Sequence, residues 1–476
     1  MNNTNTIDSA PAATVRLQAG MFIWMLAFAV IWHHTSSSRE IITYWLQIDP
    51  VHTPGVVLAC VIALVAACYP TRSWLVGLLA LTEAVVVGLR MPFVPTHAYM
   101  EMIMFFGVFV CYAAPALHRR TFNPDMADVY QNFAPLGRWL LIIMYFFGTF
   151  HKINPVFLNP ATSCALPFLD GLPFPYGWHD HMWLQYSAIY GTLIIEFAAM
   201  LMLLTRRFKY LGILTGVSLH LTIGISAYGT LAHFSTFALA LHCLFLPDDA
   251  LNQFQRSKYI SAYRKNGNTL IFATTLLVSM QFYFAMTAKW VGINYLFALY
   301  GGLFFGFVVL YGKLLPGGER PRLISRNWAI NVLSALFFVH CCGPYIGLRT
   351  HGVVQMFSGL KTAGGESNHL IVTKPFYLFD YQDDVVEILY PNSRHFAYLM
   401  QQNMGTVQFK FQHYLFAGTK IPLPLAFRIG DNIYEIDSEG SFRKALPVIH
   451  RPYSWFERFY LDFRHTDLVA PTECRH

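Results

Sequence analysis

The side chains able to do chemistry in this chain stand where an apolar environment should not admit them. Glu83, Glu101 and Glu196 fall inside long hydrophobic runs, and His33, His34, His97, His151, His220, His233, His242 and His340 lie in or beside such runs. An ionisable group there is costly unless it is paired, so each is a functional candidate by default. The densest group is Tyr145-Phe-Phe-Gly-Thr-Phe-His-Lys152-Ile-Asn-Pro155, in which a lysine directly follows an aromatic stretch. Two readings of Lys152 stay open. An ammonium that snorkels to water remains charged and structural. An apolar pocket instead disfavours the charged form, and the neutral amine can then act as a base.

Other chemistries lack their residues. There is no Gly-rich phosphate loop, no nucleotide fingerprint and no Cys-x-x-Cys pair, and the histidine spacings do not make the boxes of membrane di-iron enzymes. His179-Asp180-His181 offers two imidazoles, but a lone His-x-His in a loop is more often metal-free, and no metal is expected. Cys341 and Cys342 read as core residues. Cys164 and Cys474 fall on the same expected side of the membrane and are able to bridge, which the sequence leaves open.

The elements that must position these groups follow from composition. Of 476 residues, 55% are hydrophobic, 16% aromatic and only 12% charged. A soluble surface needs about a quarter of residues charged, and a disordered chain cannot be this apolar. The net charge of +7 comes from basic residues scattered between apolar runs, which is a membrane pattern rather than a nucleic-acid surface. Apolar runs near 20–34, 54–70, 74–93, 98–117, 136–151, 185–204, 210–227, 230–247, 268–287, 291–312 and 327–347 predict an all-α polytopic membrane bundle of about 9–11 helices. Several are short for a lone span, so some helices should be broken or should border an internal cavity.

Basic residues concentrate after even-numbered runs: Arg72; Arg119 and Arg120; Arg206, Arg207 and Lys209; Arg256, Lys258, Arg264 and Lys265; Lys313, Arg320, Arg322 and Arg326. The other loops hold little beyond Arg39, Arg90, Lys152 and Lys289. By the positive-inside rule the polar segment 1–19 is cytosolic and uncleaved, and the C-terminal part is extracytoplasmic. His34, His97, Glu101, His151, Lys152 and His233 then sit near the extracytoplasmic ends. Glu196 and His220 lie on the order of 10–16 Å deeper.

Composition shifts near residue 348, beyond which 26 of 129 residues are charged. Alternation over His369–Val372, Thr406–Phe411, Leu425–Ile429 and Ile433–Ile436, the last two flanking Gly430-Asp431-Asn432, predicts a small β-rich domain over 348–476. Trp455, Phe456, Phe459, Tyr460 and Phe463 recur at helical spacing, predicting a terminal amphipathic helix on the bundle or the bilayer interface. The Gly-rich stretch Met356–His369 reads as a linker or lid without catalytic residues.

With these residues in hand, the chain from about 15 to 285 resembles the vitamin K-dependent gamma-carboxylase family and the wider group of transmembrane proteins that share its helical domain. Tyr145–Asn154 is similar to the family's Tyr-Phe-x-x-Gly-x-x-Lys-Leu segment, which places the family's catalytic lysine at Lys152, with His151 where the animal enzyme has another lysine. Pro95-Thr-His97-Ala-Tyr99 resembles the region of the family's catalytic histidine, and Leu219-His220 through Leu246-Pro247 looks like its Phe-His and following hairpin. The segment 286–347 adds further membrane helices beyond that match.

The resemblance implies a reduced naphthoquinone (vitamin K hydroquinone or menaquinol), with dioxygen and carbon dioxide as co-substrates. Lys152 would be the general base and His97 the group that orients the developing oxyanion. Tyr145, Phe146, Phe150, His151, Glu101, Glu196, His220 and His233 are the candidates to bind the quinone. It also implies membrane lipid and a protein or peptide glutamate as partners, and no nucleic acid. The chain after 348 is far shorter than the animal enzyme's lumenal part, which puts propeptide capture in doubt. Two alternatives stand beside carboxylation: the same quinol chemistry on another peptide or lipid substrate, or a non-catalytic role in peptide export or immunity.

Overall fold

The computed structural model describes residues 10–36, 52–170, 172, 175, 177–226, 231–257, 268–287, 290–311, 320–416, 423–470 and 474. Arg39, Lys258, Arg264, Lys265, Lys289 and Lys313, used above to orient the chain, lie outside them. Each of the eleven apolar runs coincides with one helix: α1 Ala10–Ser36, α2 His52–Cys68, α3 Ser73–Gly88, α4 Thr96–His118, α5 Met126–Phe150, α6 Met182–Leu204, α7 Lys209–Ile225, α8 Ala232–Cys243, α9 Asn268–Met286, α10 Trp290–Tyr311 and α11 Trp328–Cys341. Six of them, α1, α4, α5, α6, α9 and α10, are long and apolar enough to cross a membrane, which supports an integral, multi-pass protein. Ile194, Phe272, Tyr295, Leu303 and Leu310 point outward, as a lipid-facing surface requires.

Helix α8 shows why some runs looked short. Its 12 residues reach only about 18 Å, too little for a bilayer. Every side chain from Ser235 to Cys243 is buried, because α8 is packed against α1, α5 and α7 inside the bundle. Helix α1 departs from expectation in the other direction. It begins at Ala10, within the stretch read as a polar tail. The polar side chains there find partners on other segments. Arg16 pairs with Asp125 at 3.1 Å, and Gln18 donates to the carbonyls of Cys243 and Leu246.

The C-terminal part holds a five-stranded antiparallel sheet, β1 Val385–Tyr390, β2 Met404–Val407, β3 Leu425–Ile429, β4 Asn432–Ile436 and β5 Thr466–Asp467, in the order β4-β3-β1-β2-β5. The expected hairpin is β3–β4, with Ile429 paired to Asn432 across a two-residue turn and Gly430 at φ +56 supplying the left-handed position. Helices α12 Arg394–Gln401, α13 Gln408–Phe416 and α14 Glu439–Ile449 cover the sheet. Val386, Phe396, Phe411, Leu425, Phe427 and Ile436 form its core.

Three sequence expectations fail here. His369–Val372 is not a strand: His369 Nδ1 accepts the amides of Ile371 and Val372 and turns the chain. Thr406–Phe411 starts in β2 and continues as α13. The aromatic helix is short, α15 Trp455–Tyr460, after which Leu461, Asp462 and Phe463 run extended and buried.

That buried stretch joins sheet domain to bundle. Arg349 is wholly buried and donates to the carbonyls of Pro92 (2.7 Å), His351 and Tyr460, with the rings of Tyr99 and Tyr460 stacked near it. Asp462 accepts from Lys410 at 2.6 Å and also bonds His351. Burial alone would raise the Asp462 carboxyl, but His351 and Lys410 outweigh it and hold it below the ordinary carboxylate range. His351 is pushed below the usual imidazole value by burial, against the pull of Asp462. The sheet domain is also tied covalently to the bundle end by a disulfide between Cys164 and Cys474.

Candidate functional site

Lys152 is placed by a tight turn. Helix α5 ends at Phe150, and the Lys152 amide folds back onto the Thr149 carbonyl at 3.0 Å. Asn154 then locks the turn. Its Oδ1 accepts the Phe157 amide, capping the short helix Pro155–Leu158, while its Nδ2 donates to the carbonyls of His151 and Ser358, each at 2.8 Å. The segment 354–370 clamps the turn from outside: His369 Nε2 donates to the Phe150 carbonyl at 2.7 Å, and the Leu370 amide donates to Ile153. Met356–His369 therefore packs on the candidate site as part of its wall. Val354 and Phe357, both non-glycine at positive φ (60 and 59), border the cavity, and such strained backbone persists only where its surroundings hold it in place.

So held, Lys152 faces a cavity of about 610 Å³ between α5, α6 and α7. Its Nζ donates to Glu196 Oε1 at 2.5 Å, and both side chains are buried. Glu196 Oε2 has no hydrogen-bond partner among the described residues. His220, also on the wall and 1% exposed, has no partner for either ring nitrogen among them. A buried polar group left unbonded costs on the order of 1–3 kcal/mol, so an imidazole in this state is poised for a ligand. Tyr145 completes the polar wall. His242 Nδ1 is 2.7 Å from the Ala238 carbonyl, so it must carry a proton there. Its Nε2 is then the acceptor for the Tyr145 hydroxyl at 3.1 Å. Gly216 makes room for this bond: a Cβ there would lie 2.0 Å from His242 Nε2. The remaining lining is mostly apolar, including Met144, Phe157, Phe168, Leu219 and Phe234, interspersed with the hydroxyl side chains of Thr96, Ser187, Thr192, Thr215, Ser218 and Thr222.

Helical geometry sorts the aromatic candidates. Tyr145, Gly148 and Lys152 recur at three- and four-residue steps and share the cavity face of α5 and its terminal turn. Phe146, Phe150 and His151, candidates from the sequence to bind the quinone, are turned away from this cavity. Phe146 stacks on Phe150 at 5.6 Å and lies against Phe338 of α11, and His151 Nδ1 meets the Val354 carbonyl at 3.2 Å.

His97, Glu101 and His233, also candidates from the sequence, do not line the cavity either. His97 packs against His233 at 4.1 Å and His33 at 5.4 Å, and Glu101 Oε2 lies 2.5 Å from His33 Nδ1. Beside them His34 Nε2 meets Glu83 Oε2 at 2.9 Å. The ring of Phe234 stands between the groups, 6.3 Å from His97 and 5.3 Å from His220. The two catalytic candidates are thus divided between adjoining polar clusters. His33, His34 and Glu83 were visible in the sequence as polar residues in apolar runs; nothing there paired them. Among the described residues His179-Asp180-His181 joins no third ligand to form a metal-holding group.

Comparison with known proteins finds no family model that matches the chain, and no match among curated proteins or solved structures.

Proposed function

We propose that the protein is an integral-membrane enzyme that couples oxygenation of a reduced naphthoquinone to proton abstraction from, and carboxylation of, a glutamate side chain in a protein or peptide. One observation carries this: a buried lysine–carboxylate pair beside an orphaned imidazole on the wall of an apolar cavity of about 610 Å³. The likeness of Tyr145–Asn154 and Leu219-His220 to the gamma-carboxylase family supports it further.

An apolar, two-oxygen aromatic ring suits this lining, with His220 and Lys152 the groups able to meet its oxygens. Such a quinol, with dioxygen, supplies a strongly basic species and ends as the epoxide and water. The chain's own part is proton handling and exclusion of water. Glu196 Oε1 can take the proton it shares with Lys152 Nζ, leaving a neutral amine as base. His220 faces the cavity and takes the oxyanion-orienting role that the resemblance placed on His97. The apolar wall keeps water from quenching the base. Cys164 lines the same cavity, and disulfides persist in oxidising compartments. On this reading the cavity opens toward the extracytoplasmic side, where a peptide acceptor reaches it, and the N-terminus is cytosolic, in keeping with the bias of basic residues among the loops.

The Lys152–Glu196 bond also favours a second reading, a structural clasp between α5 and α6 in a non-catalytic export or immunity protein. The test uses the full chain in nanodiscs with reduced naphthoquinone and oxygen, following epoxide by mass spectrometry. Epoxide from wild type that falls roughly 10²–10⁴-fold in Lys152→Ala supports the enzyme. A folded wild type that makes none leaves the clasp.

A further inference from the structure

The cluster behind Phe234 has the makings of a site of its own. His33 Nδ1, a Glu83 oxygen and a Glu101 oxygen all lie within 4.8 Å of one another, and all three residues are buried. His33 Nδ1 is 2.5 Å from Glu101 Oε2 and 4.0 Å from Glu83 Oε1. Metal–ligand bonds of about 2.1 Å set donors roughly 3–3.5 Å apart. The first of these must therefore open and the second close, each by up to about an ångström, while the two carboxylate oxygens, which lie within 4.8 Å of each other, draw together as well.

Two further observations point to a ligand. Glu83 Oε1 and Glu101 Oε1 are buried and have no hydrogen-bond partner among the described residues, and neither does Nδ1 of His97, which is 4% exposed and packs at 74° against His33. His34, stacked on His33 at 4.8 Å, bonds the other Glu83 oxygen, as an outer partner that orients a metal-binding carboxylate does.

We propose that His33, Glu83 and Glu101 bind a divalent first-row transition-metal ion, with His97 as the nearest further donor. Mixed imidazole and carboxylate donors suit Zn²⁺, Fe²⁺ or Mn²⁺, whereas Mg²⁺ and Ca²⁺ favour all-oxygen sets. The ion ties α1, α3 and α4 together behind the cavity wall. This stands apart from the quinol chemistry, and the absence of metal expected from sequence gives way to it.

The test is metal binding by the full chain in detergent. Protein stripped with chelator and titrated with Co²⁺ should take up one equivalent, read by elemental analysis and by visible d–d absorption. Glu101→Gln, nearly isosteric, should lose that equivalent. His34→Gln, which leaves the proposed ligands in place, should weaken it about 10–100-fold and covers the case in which Glu101→Gln fails to fold. A variant lacking both His179 and His181 should keep it. Folded, stripped wild type that binds no more Co²⁺ than Glu101→Gln, or an equivalent lost with His179 and His181, overturns the proposal and leaves a proton-sharing network.

Discussion

The Lys152–Glu196 pair and the His33–Glu101 pair share burial and a 2.5 Å contact, yet they differ in what lies beside them. The first borders about 610 Å³ of apolar space together with an unbonded His220. The second is packed among His34, Glu83, His97 and His233, with no part in lining that space. Burial and proximity of opposite charges do not separate chemistry from architecture. Under the two proposals above, an orphaned polar atom facing room for a ligand serves a reaction, and one facing other ligating groups serves an ion.

The contrast breaks most sharply in stability. Removing one member of a buried charged group strands its partner, at about 3–5 kcal/mol, whereas replacing both members of a pair with apolar residues is often neutral. Glu83→Ala should therefore lower thermal stability in detergent severely. Lys152→Met/Glu196→Met together should cost little stability while abolishing epoxide formation. A double variant as unstable as Glu83→Ala would make the lysine pair structural too. Next in size is Gly216→Ala. The added Cβ displaces His242 from Tyr145 and strands a buried hydroxyl, at about 1–3 kcal/mol. It should impair cavity chemistry and leave Co²⁺ uptake unchanged; equal damage to both readouts would merge the two clusters.

The smallest effect lies at the junction with the sheet domain. His351 sits below its ordinary value of 6.5, so the unfolded chain takes up its proton first, and stability declines as pH falls through that value. Asp462, held below its ordinary 3.8, contributes stability that is complete above that pH and lost beneath it. The His351 side chain is 36% exposed, so solvent screens its share. Melting curves between pH 7 and 5 should slope gently for wild type and flatten in His351→Gln. A slope unchanged by that substitution would assign it to another group.

Much of this was legible in the chain, for particular reasons. Long continuous apolar runs declare helices because in lipid only helices and closed barrels satisfy every backbone group, and barrel strands alternate instead. Even α8, too short to cross, appeared as one. Lys152, Glu196 and His220 stood out by cost alone. Their pairing did not, because 44 residues separate Lys152 from Glu196, and only packing chooses between Glu196 and His97. The α13 segment misled because it lies between two cores. Phe409 packs with Tyr453 and Phe463, while Phe411 packs with Phe396 and Phe427, and a helix buried on two faces mimics alternation.

The bond between Cys164 and Cys474, 310 residues apart, makes a loop of part of the cavity wall, six of the eleven helices and the whole sheet. A protease that nicks any exposed turn inside this loop yields two pieces that migrate as one until a reductant frees them. Biogenesis meets the same constraint in reverse. Cys474 can meet its partner only after the residues between them have been made, so the linkage reports that this whole stretch has been synthesised and brought together.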